Sequence, residues 1–216
     1  MIWDAAEICE NFAVSNQDMT YLIASRCHPS VFKRLEDCKV TVWHAAGDNN
    51  ILELLQRPEV IAKQPCHEPL INGGTAGVTR AIFLATVLGY TDIHIYGGDS
   101  CYSANGSTHA TGSLVPEKDV EVALGNNPPI FFRTTPEWCA QVEEYRAIFT
   151  ILTCCASIKL EVHGDGMLKA MHDILTAQLK FMGAERFVQH NAKLEEEKAA
   201  LYAQASAEHT ASKDAA

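Results

Sequence analysis

The stretch "INGGTAGVTRAIFLATVLGYTDIHIYGGD", residues 71–99, holds the signals that decide the fold of this chain. A short apolar run ends at a pair of glycines, an apolar helix is predicted over residues 75–88, and a second apolar run follows over residues 91–97. A strand, a helix and a strand in this order are typical of a parallel pair joined by a right-handed crossover. We therefore predict that the strands ending at Asn72 and Gly97 are parallel neighbours.

The same alternation of strands and helices runs through most of the chain. Runs of β-branched and aromatic residues predict strands over residues 20–25, 39–45, 68–72, 91–97, 129–134 and 157–164. Helices are predicted to begin at Pro29, after Asp48 and at Pro136, whereas residues 116–129 are typical of an excursion or a hairpin. This pattern predicts a Rossmann-like three-layer α/β sandwich with a mainly parallel sheet.

A change in composition predicts the domain boundary. Residues 1–182 are expected to form one α/β domain, whereas residues 183–216 are rich in Ala, Glu and Lys. The apolar residues of this tail do not sustain the heptads of a coiled coil, so we expect a solvated helix that frays into disorder. The alternative is a helix through which the chain forms a homo-oligomer. Because the tail offers little apolar surface, its removal is expected to leave the melting temperature nearly unchanged.

Composition limits the classes of function. The chain has 216 residues, of which 47% are hydrophobic, and this is enough for one core of single-domain size. Its net charge of -10, without a Lys/Arg cluster, argues against nucleic acid as a partner. No apolar run approaches the roughly 18 residues of a membrane helix, so we expect no membrane partner and a cytoplasmic location. The eight cysteines form no C-x-x-C pair, which is typical of core residues in a reducing compartment.

Polar residues follow the predicted strands at their carboxyl ends, where open parallel sheets bind ligands. Gly73 and Gly74 permit positive φ and a close backbone approach, and Thr75 offers a hydroxyl group to a phosphate. Asn72 and His44 end their own strands and are further candidates for binding a substrate or a nucleotide. The sequence therefore predicts an anion-binding turn, with a purely structural tight turn as the alternative.

The second strand of the quoted stretch is followed by a candidate metal ligand. Gly98 and Asp99 come directly after it, and a carboxylate beside a phosphate is the arrangement that Mg²⁺ uses. His109, in the loop that follows, is a candidate general acid or base, or a donor to phosphate. We predict catalytic roles for Asp99 and His109 and a metal-binding role for Asp99. The alternatives are turn capping for Asp99 and an ordinary surface position for His109.

Residues 72–112 resemble the signature of the 6-hydroxymethylpterin diphosphokinase MptE-like family, which includes the motility-accessory-factor flagellin glycosyltransferases. The family pattern is a small-residue turn, an apolar helix ending in Leu-Gly, a strand and Gly-x-Asp. In the glycosyltransferase branch, Tyr-Ser and His-Ala follow. The matching residues here are Gly73-Gly74, Leu88-Gly89, Gly97-Gly98-Asp99, Tyr102-Ser103 and His109-Ala110. Each part alone is weak, but their combination is specific.

The resemblance implies a transferase that binds a nucleotide or a nucleotide-activated donor and a small-molecule acceptor. It implies ATP-dependent diphosphoryl transfer to a hydroxymethyl group, or, in the other branch, glycosyl transfer from a CMP-linked nonulosonic acid. Asp99 would then hold Mg²⁺ or a ribose, and Tyr102, Ser103 and His109 would contact donor or acceptor.

The family's first strand and Gly-rich donor loop have no counterpart before Asp4. "MIWD" instead resembles a later family strand that ends in an acidic residue, which makes Asp4 a further donor-site candidate. We expect either a shortened fold or a longer full product. A binding or assembly module without catalysis, which has lost donor binding, is the remaining alternative.

Overall fold

The structure is a computed structural model that describes residues 10–11, 13–46, 70–71, 73–74, 76–103, 106, 119–125 and 128–214. It shows an α/β protein whose strands include parallel pairs in open sheets, as predicted. The chain divides into two compact units, Met1–Tyr90 and Thr91–Ala216, and each is described by itself. The helix predicted after Asp48 lies outside the described residues.

The first unit contains a parallel sheet with the strand order β1-β2-β3. Its elements are β1 (Thr20–Ala24), α1 (Pro29–Arg34), β2 (Lys39–Ala45), β3 (Leu70–Ile71) and α2 (Gly77–Val87). These elements agree with the predicted strands and helices of this region. The buried side chains that form the core include Ile23, Val31, Leu35, Trp43, Ile71 and Leu84. Because α1 and α2 contribute Val31 and Leu84, both helices pack against the sheet through their apolar faces.

The second unit combines a short parallel sheet, a hairpin and a helical layer. Its strands are β4 (Asp92–Ile95), β5 (Val120–Leu124), β6 (Ile130–Thr134) and β7 (Lys159–Val162). Its helices are α3 (Pro136–Phe149), a π-helical segment (Thr150–Cys155), α4 (Met167–Met182) and α5 (Ala184–Asp214). Strand β4 pairs with β7 in parallel, and β5 with β6 in antiparallel orientation, which confirms the hairpin alternative for residues 116–129 in its described part. Helix α4 ends at Met182, the last residue of the predicted α/β domain.

The predicted pairing of the strands around the quoted helix is wrong. Within the described residues, β3 pairs with β2, whereas β4 belongs to a different sheet and pairs with β7. The apolar pattern identifies each strand because burial requires it, but the pattern carries no information about which strand is the partner. Grouping the residues that follow β3 and β4 into one site depended on that pairing. The carboxyl ends of the two strands are therefore treated separately.

Side chains of β4 and β7 alternate between the two faces of their sheet, as period-2 geometry requires. Ile95, Leu160 and Val162 are buried on one face. His94 and Glu161, which are register partners, project from the opposite face and remain partly exposed. One face of this sheet thus belongs to the core, and the other presents ionisable groups to solvent.

The tail prediction is wrong for the first turns of α5. Phe187 is fully buried, with its ring 6.0 Å from that of Phe149, and Asn191 is buried one turn later. The Asn191 amide donates to the Phe187 carbonyl, and Lys198 forms an ion pair with Glu143 of α3. The average composition of the tail conceals Phe187 and Asn191, which lie on one helix face at i, i+4 spacing. The start of α5 is therefore part of the second unit's core.

Within the described residues, no helix combines the length and the apolar character that crossing a membrane requires.

A buried histidine makes the stability of the second unit depend on pH. His172 Nδ1 lies 2.8 Å from the Tyr145 hydroxyl, and burial lowers the pKa of His172 below its ordinary value of 6.5. The unfolded chain therefore binds more protons than the folded chain between the two pKa values. The stability that depends on neutral His172 is fully present above pH 6.5 and is lost as the pH falls below it.

We expect urea unfolding at about pH 5 to give a smaller free energy of unfolding than at about pH 7.5. The substitution His172→Gln should reduce this difference because Gln does not titrate. His190→Gln, at an exposed position on α5, is the control and should leave the difference unchanged. An equal pH dependence in wild type and His172→Gln would contradict the assignment.

Candidate functional site

The carboxyl edge of the first unit's sheet contains the predicted glycine turn. Gly73 and Gly74 both have positive φ, of 136° and 75°, as the predicted turn requires. A Cβ atom at Gly73 would lie 2.7 Å from Arg80 Cα, closer than real side chains approach a backbone. The first turn of α2 therefore packs directly against the turn that follows β3, and only glycine fits between them.

Arg80, which sequence reasoning missed, lies at this same edge. It is 7% exposed, and its Nη1 donates to the carbonyl oxygens of Ala46 and Ile71, each at 3.2 Å. Ile71 ends β3 and Ala46 follows β2, so the two contacts hold the guanidinium at the ends of neighbouring strands. The sequence held one signal for Arg80. It is the single charged residue of a helix that is otherwise mostly apolar, and because burial of a charge is costly, such a residue needs partners.

His44 of β2 lies at the carboxyl edge of the same sheet. Its Nδ1 is 2.8 Å from Ser25 Oγ, and Ser25 follows the neighbouring strand β1. Both side chains are partly buried. The structure thus brings His44 and the Gly73-Gly74 turn to one edge of one sheet, because β2 and β3 are parallel neighbours.

Three other predicted binding residues, Asp4, Asn72 and Thr75, lie outside the described residues.

In the second unit, Asp99 lies at the start of α4. Its carbonyl oxygen accepts a hydrogen bond from Leu168 N at 3.3 Å, and its Oδ1 faces Gly164. A Cβ atom at Gly166 would lie 2.5 Å from Asp99 Cα, so the loop after β4 packs tightly on the loop after β7. The backbone of Asp99 makes this contact, and no described side chain caps the first turn of α4, so the capping alternative for the Asp99 carboxylate stays a prediction. The predicted proximity of Asp99 to Thr75 stays a prediction.

Cys101 lies beside Asp99 and accepts a hydrogen bond from the Met167 backbone. Burial raises the pKa of the Cys101 thiol above its ordinary value of 9.0, and the nearby carboxylates of Asp99 and Asp165 raise it further. The thiol is therefore protonated at neutral pH. A nucleophilic thiolate at this position is disfavoured.

Tyr102 is held at the hairpin by three contacts. Its backbone N–H donates to the Arg133 carbonyl at 2.9 Å, and its ring meets the Trp138 ring edge-on at 5.3 Å between centroids. The Arg133 guanidinium lies 4.8 Å from the centre of the Tyr102 ring and pairs with Asp119. Ser103 is exposed beside it. Gly98 is described and partly buried, whereas His109 lies outside the described residues.

Sequence reasoning also missed a cluster on the exposed face of β4 and β7. It consists of His94, Glu161 and His163, and we call it the His-Glu-His cluster. His94 Nδ1 lies 2.9 Å from His163 Nε2 and 3.4 Å from Glu161 Oε2, and the last two atoms are 3.9 Å apart. The available signal was "HIY" and "EVH", in which polar residues alternate with apolar ones. Only the pairing of β4 with β7 brings these two segments together.

Comparisons with protein-family models, with curated proteins and with solved structures found no match for this chain. The resemblance to the MptE-like family therefore rests on the motif residues themselves.

Proposed function

We propose that the protein is a nucleotide-dependent transferase of the MptE-like type. In this proposal it moves a phosphoryl or diphosphoryl group from a nucleoside triphosphate to a small hydroxymethyl or alcohol acceptor. The observation that supports it is the carboxyl edge of the first unit's sheet, where a glycine turn, a helix start and the buried guanidinium of Arg80 lie together. We include in this proposal the Rossmann-like three-layer sandwich and the cytoplasmic location that the sequence predicts.

The start of α2 has the features that phosphate groups bind. Its N-cap residue is Ala76, which has no side chain that could cap the first turn. Backbone N–H groups at a helix start carry partial positive charge and bind anions when no side chain satisfies them. The positive φ angles of Gly73 and Gly74 shape the turn that leads into this helix. The place of a Cβ atom at Gly73 is filled by the backbone of α2, so a phosphate would be held by the N–H groups of the helix start and not by space beside this glycine.

Arg80 adds a full positive charge to this edge. Its contacts with Ala46 and Ile71 fix the guanidinium at the strand ends, so a bound phosphate would meet a charge already in place. A guanidinium binds phosphate oxygens through parallel N–H groups, and this geometry is more specific than that of an ammonium.

The reaction follows from these roles. The acceptor hydroxyl oxygen attacks a phosphorus atom of the donor, a new P–O bond forms, and the bond to the leaving nucleotide breaks. The acceptor proton passes to a base, a role for which His109 is the candidate from the sequence. The Mg²⁺ role that the sequence predicts for Asp99, in the second unit, is a separate hypothesis, since carboxylate oxygens are ligands that suit this ion. The Asp99 side chain is exposed.

A panel of ligands tests the proposal by thermal shift. ATP, GTP, CTP and a CMP-linked nonulosonic acid are each added with and without Mg²⁺. A donor at 100 times its Kd should add about 2.7 kcal/mol of stability. Arg80→Lys should weaken this effect because the guanidinium fork is lost, whereas Arg34→Lys, at an exposed position on α1, is the matched control.

Asp99→Asn tests the metal role separately. It should weaken nucleotide binding in the presence of Mg²⁺, leave metal-free binding unchanged, and preserve the fold because the side chain is exposed. Asp173→Asn on α4 is the control. If Mg²⁺ has no effect in either protein, the metal role of Asp99 is wrong.

The Tyr102-Ser103 motif favours a CMP-linked nonulosonic acid as the second candidate donor. Stabilisation by that donor, with none from the triphosphates, would replace phosphoryl transfer by glycosyl transfer. No stabilisation by any nucleotide would reject both transferase readings and favour the binding or assembly module.

A further inference from the structure

The strand pairing of the second unit builds the His-Glu-His cluster. His94 is the register partner of Glu161 in the parallel β4–β7 pair. His163 follows Glu161 by two positions, so it lies on the same face of the sheet. The three side chains are each between 36% and 39% exposed, so an ion from solvent can reach them.

The spacing of the ligand atoms fits one metal ion. Nitrogen and oxygen ligands bind zinc at about 2.0 to 2.2 Å, which places neighbouring ligand atoms of a tetrahedral site about 3.3 Å apart. The three separations in the cluster are 2.9, 3.4 and 3.9 Å. They bracket the tetrahedral value. The two imidazole planes lie within 14° of each other with centroids 5.2 Å apart, so Nδ1 and Nε2 point at each other, and both exposed rings would turn to face an ion beside that line.

A neighbouring group contacts each ligand of the cluster. Asp92 Oδ1 lies 3.3 Å from His94 Nε2, which is the carboxylate–histidine arrangement that supports metal-binding imidazoles. Lys159 Nζ lies 2.8 Å from Glu161 Oε1, on the oxygen that does not face the histidines. The Tyr96 ring stacks on His163 at 4.2 Å between centroids, with 5° between the ring planes. Every ligand of the cluster therefore has a second partner.

The charges in the cluster also favour a cation at its centre. When Asp92 accepts the proton on His94 Nε2, the Nδ1 atom carries a lone pair that faces Glu161 Oε2 at 3.4 Å. Two acceptors then face each other. The N–H of His163 can satisfy one of the two acceptors, whereas a metal ion at the centre binds all three atoms.

We propose that His94 Nδ1, His163 Nε2 and Glu161 Oε2 bind a divalent transition metal ion of the zinc type. Two imidazoles and one carboxylate select such ions rather than Mg²⁺, which prefers oxygen ligands. Three protein ligands leave a fourth position for water or a substrate atom. This site is independent of the Mg²⁺ role proposed for Asp99.

Titration with Co²⁺ tests the proposal directly, since bound Co²⁺ has visible absorption bands. The full chain is stripped with a chelator, titrated with Co²⁺, and then titrated with Zn²⁺. We expect one equivalent of Co²⁺ to give bands of a four- or five-coordinate nitrogen and oxygen site, which Zn²⁺ then removes. Asp92→Asn should weaken binding roughly 10- to 100-fold, and Glu161→Gln and His94→Gln should weaken it further.

His190→Gln, on α5, is the matched control and should bind Co²⁺ as the wild type does. Far-UV circular dichroism checks the fold of each variant. If His94→Gln misfolds, the nearly isosteric Glu161→Gln decides the matter. Undiminished binding in Glu161→Gln would overturn the proposal. Thiolate-to-cobalt charge-transfer bands would overturn it as well, because they would assign the metal to cysteines.

Discussion

Removal of α5 from residue 184 onward should lower the melting temperature of the protein sharply. The truncation takes away Phe187, whose ring is fully buried against Phe149, and Asn191, which is buried beside it. The single substitution Phe187→Ala should destabilise the second unit by about 3 to 5 kcal/mol, because it removes an aromatic side chain from the core and leaves a cavity. Thermal unfolding followed by circular dichroism measures both changes.

The control is a truncation after residue 204, which keeps the docked turns of α5. It should change the melting temperature little. A truncation from residue 184 that leaves the melting temperature unchanged would show that Phe187 does not belong to the core in solution.

Gly73→Ala should destabilise the first unit more than Gly89→Ala does. Two costs add at this position. The φ of 136° is strained for alanine, at about 1 to 3 kcal/mol. The new Cβ would also lie 2.7 Å from Arg80 Cα, and such overpacking costs about 1 to 3 kcal/mol more. Urea unfolding should show the loss. If the variant is folded, its nucleotide-dependent thermal shift should also be smaller because α2 must move.

Gly89→Ala separates the two costs. Gly89 also has a positive φ, of 90°, but a Cβ there would meet no atom within 4 Å. It should therefore show the backbone cost alone. Equal losses for the two variants would mean that the close approach of α2 to the turn is absent in solution.

Local sequence patterns predicted the elements well, because burial and turn geometry act over a few residues. The β-branched run at residues 39–45 and the proline at position 136 identified β2 and the start of α3. The partner of β4 could not be predicted in the same way. Its register with β7 depends on which apolar faces meet in the assembled core, and residues 91–97 read alone are equally compatible with several neighbours.

The part of the candidate site that depends on local backbone geometry could be predicted, whereas the part that depends on assembly of distant segments could not. The glycine turn could be recognised because only glycine adopts positive φ at little cost, and Gly73 and Gly74 both do so. The role of Arg80 could not be recognised, because a charged residue on a helix is usually solvated. Its contacts with strand-end carbonyls exist only once β2, β3 and α2 have assembled. The same holds for the His-Glu-His cluster, whose members come from distant segments.

The pairing of β4 with β7 has a consequence for how the chain folds. His94 and His163 are separated by 69 positions, so their contact closes a long loop and costs correspondingly more chain entropy than a local contact. Contacts of this kind slow folding, because the intervening chain must be organised before they become favourable. During synthesis, β4 leaves the ribosome long before β7. The edge of β4 that pairs with β7 therefore lacks this partner until the later segment has been made. By contrast, β1 meets β2 after one short helix, with Thr20 opposite Lys39. The β4–β7 sheet of the second unit can therefore form only after β7 has been synthesised, and unpaired strand edges of this kind promote aggregation of nascent chains until they find their partner.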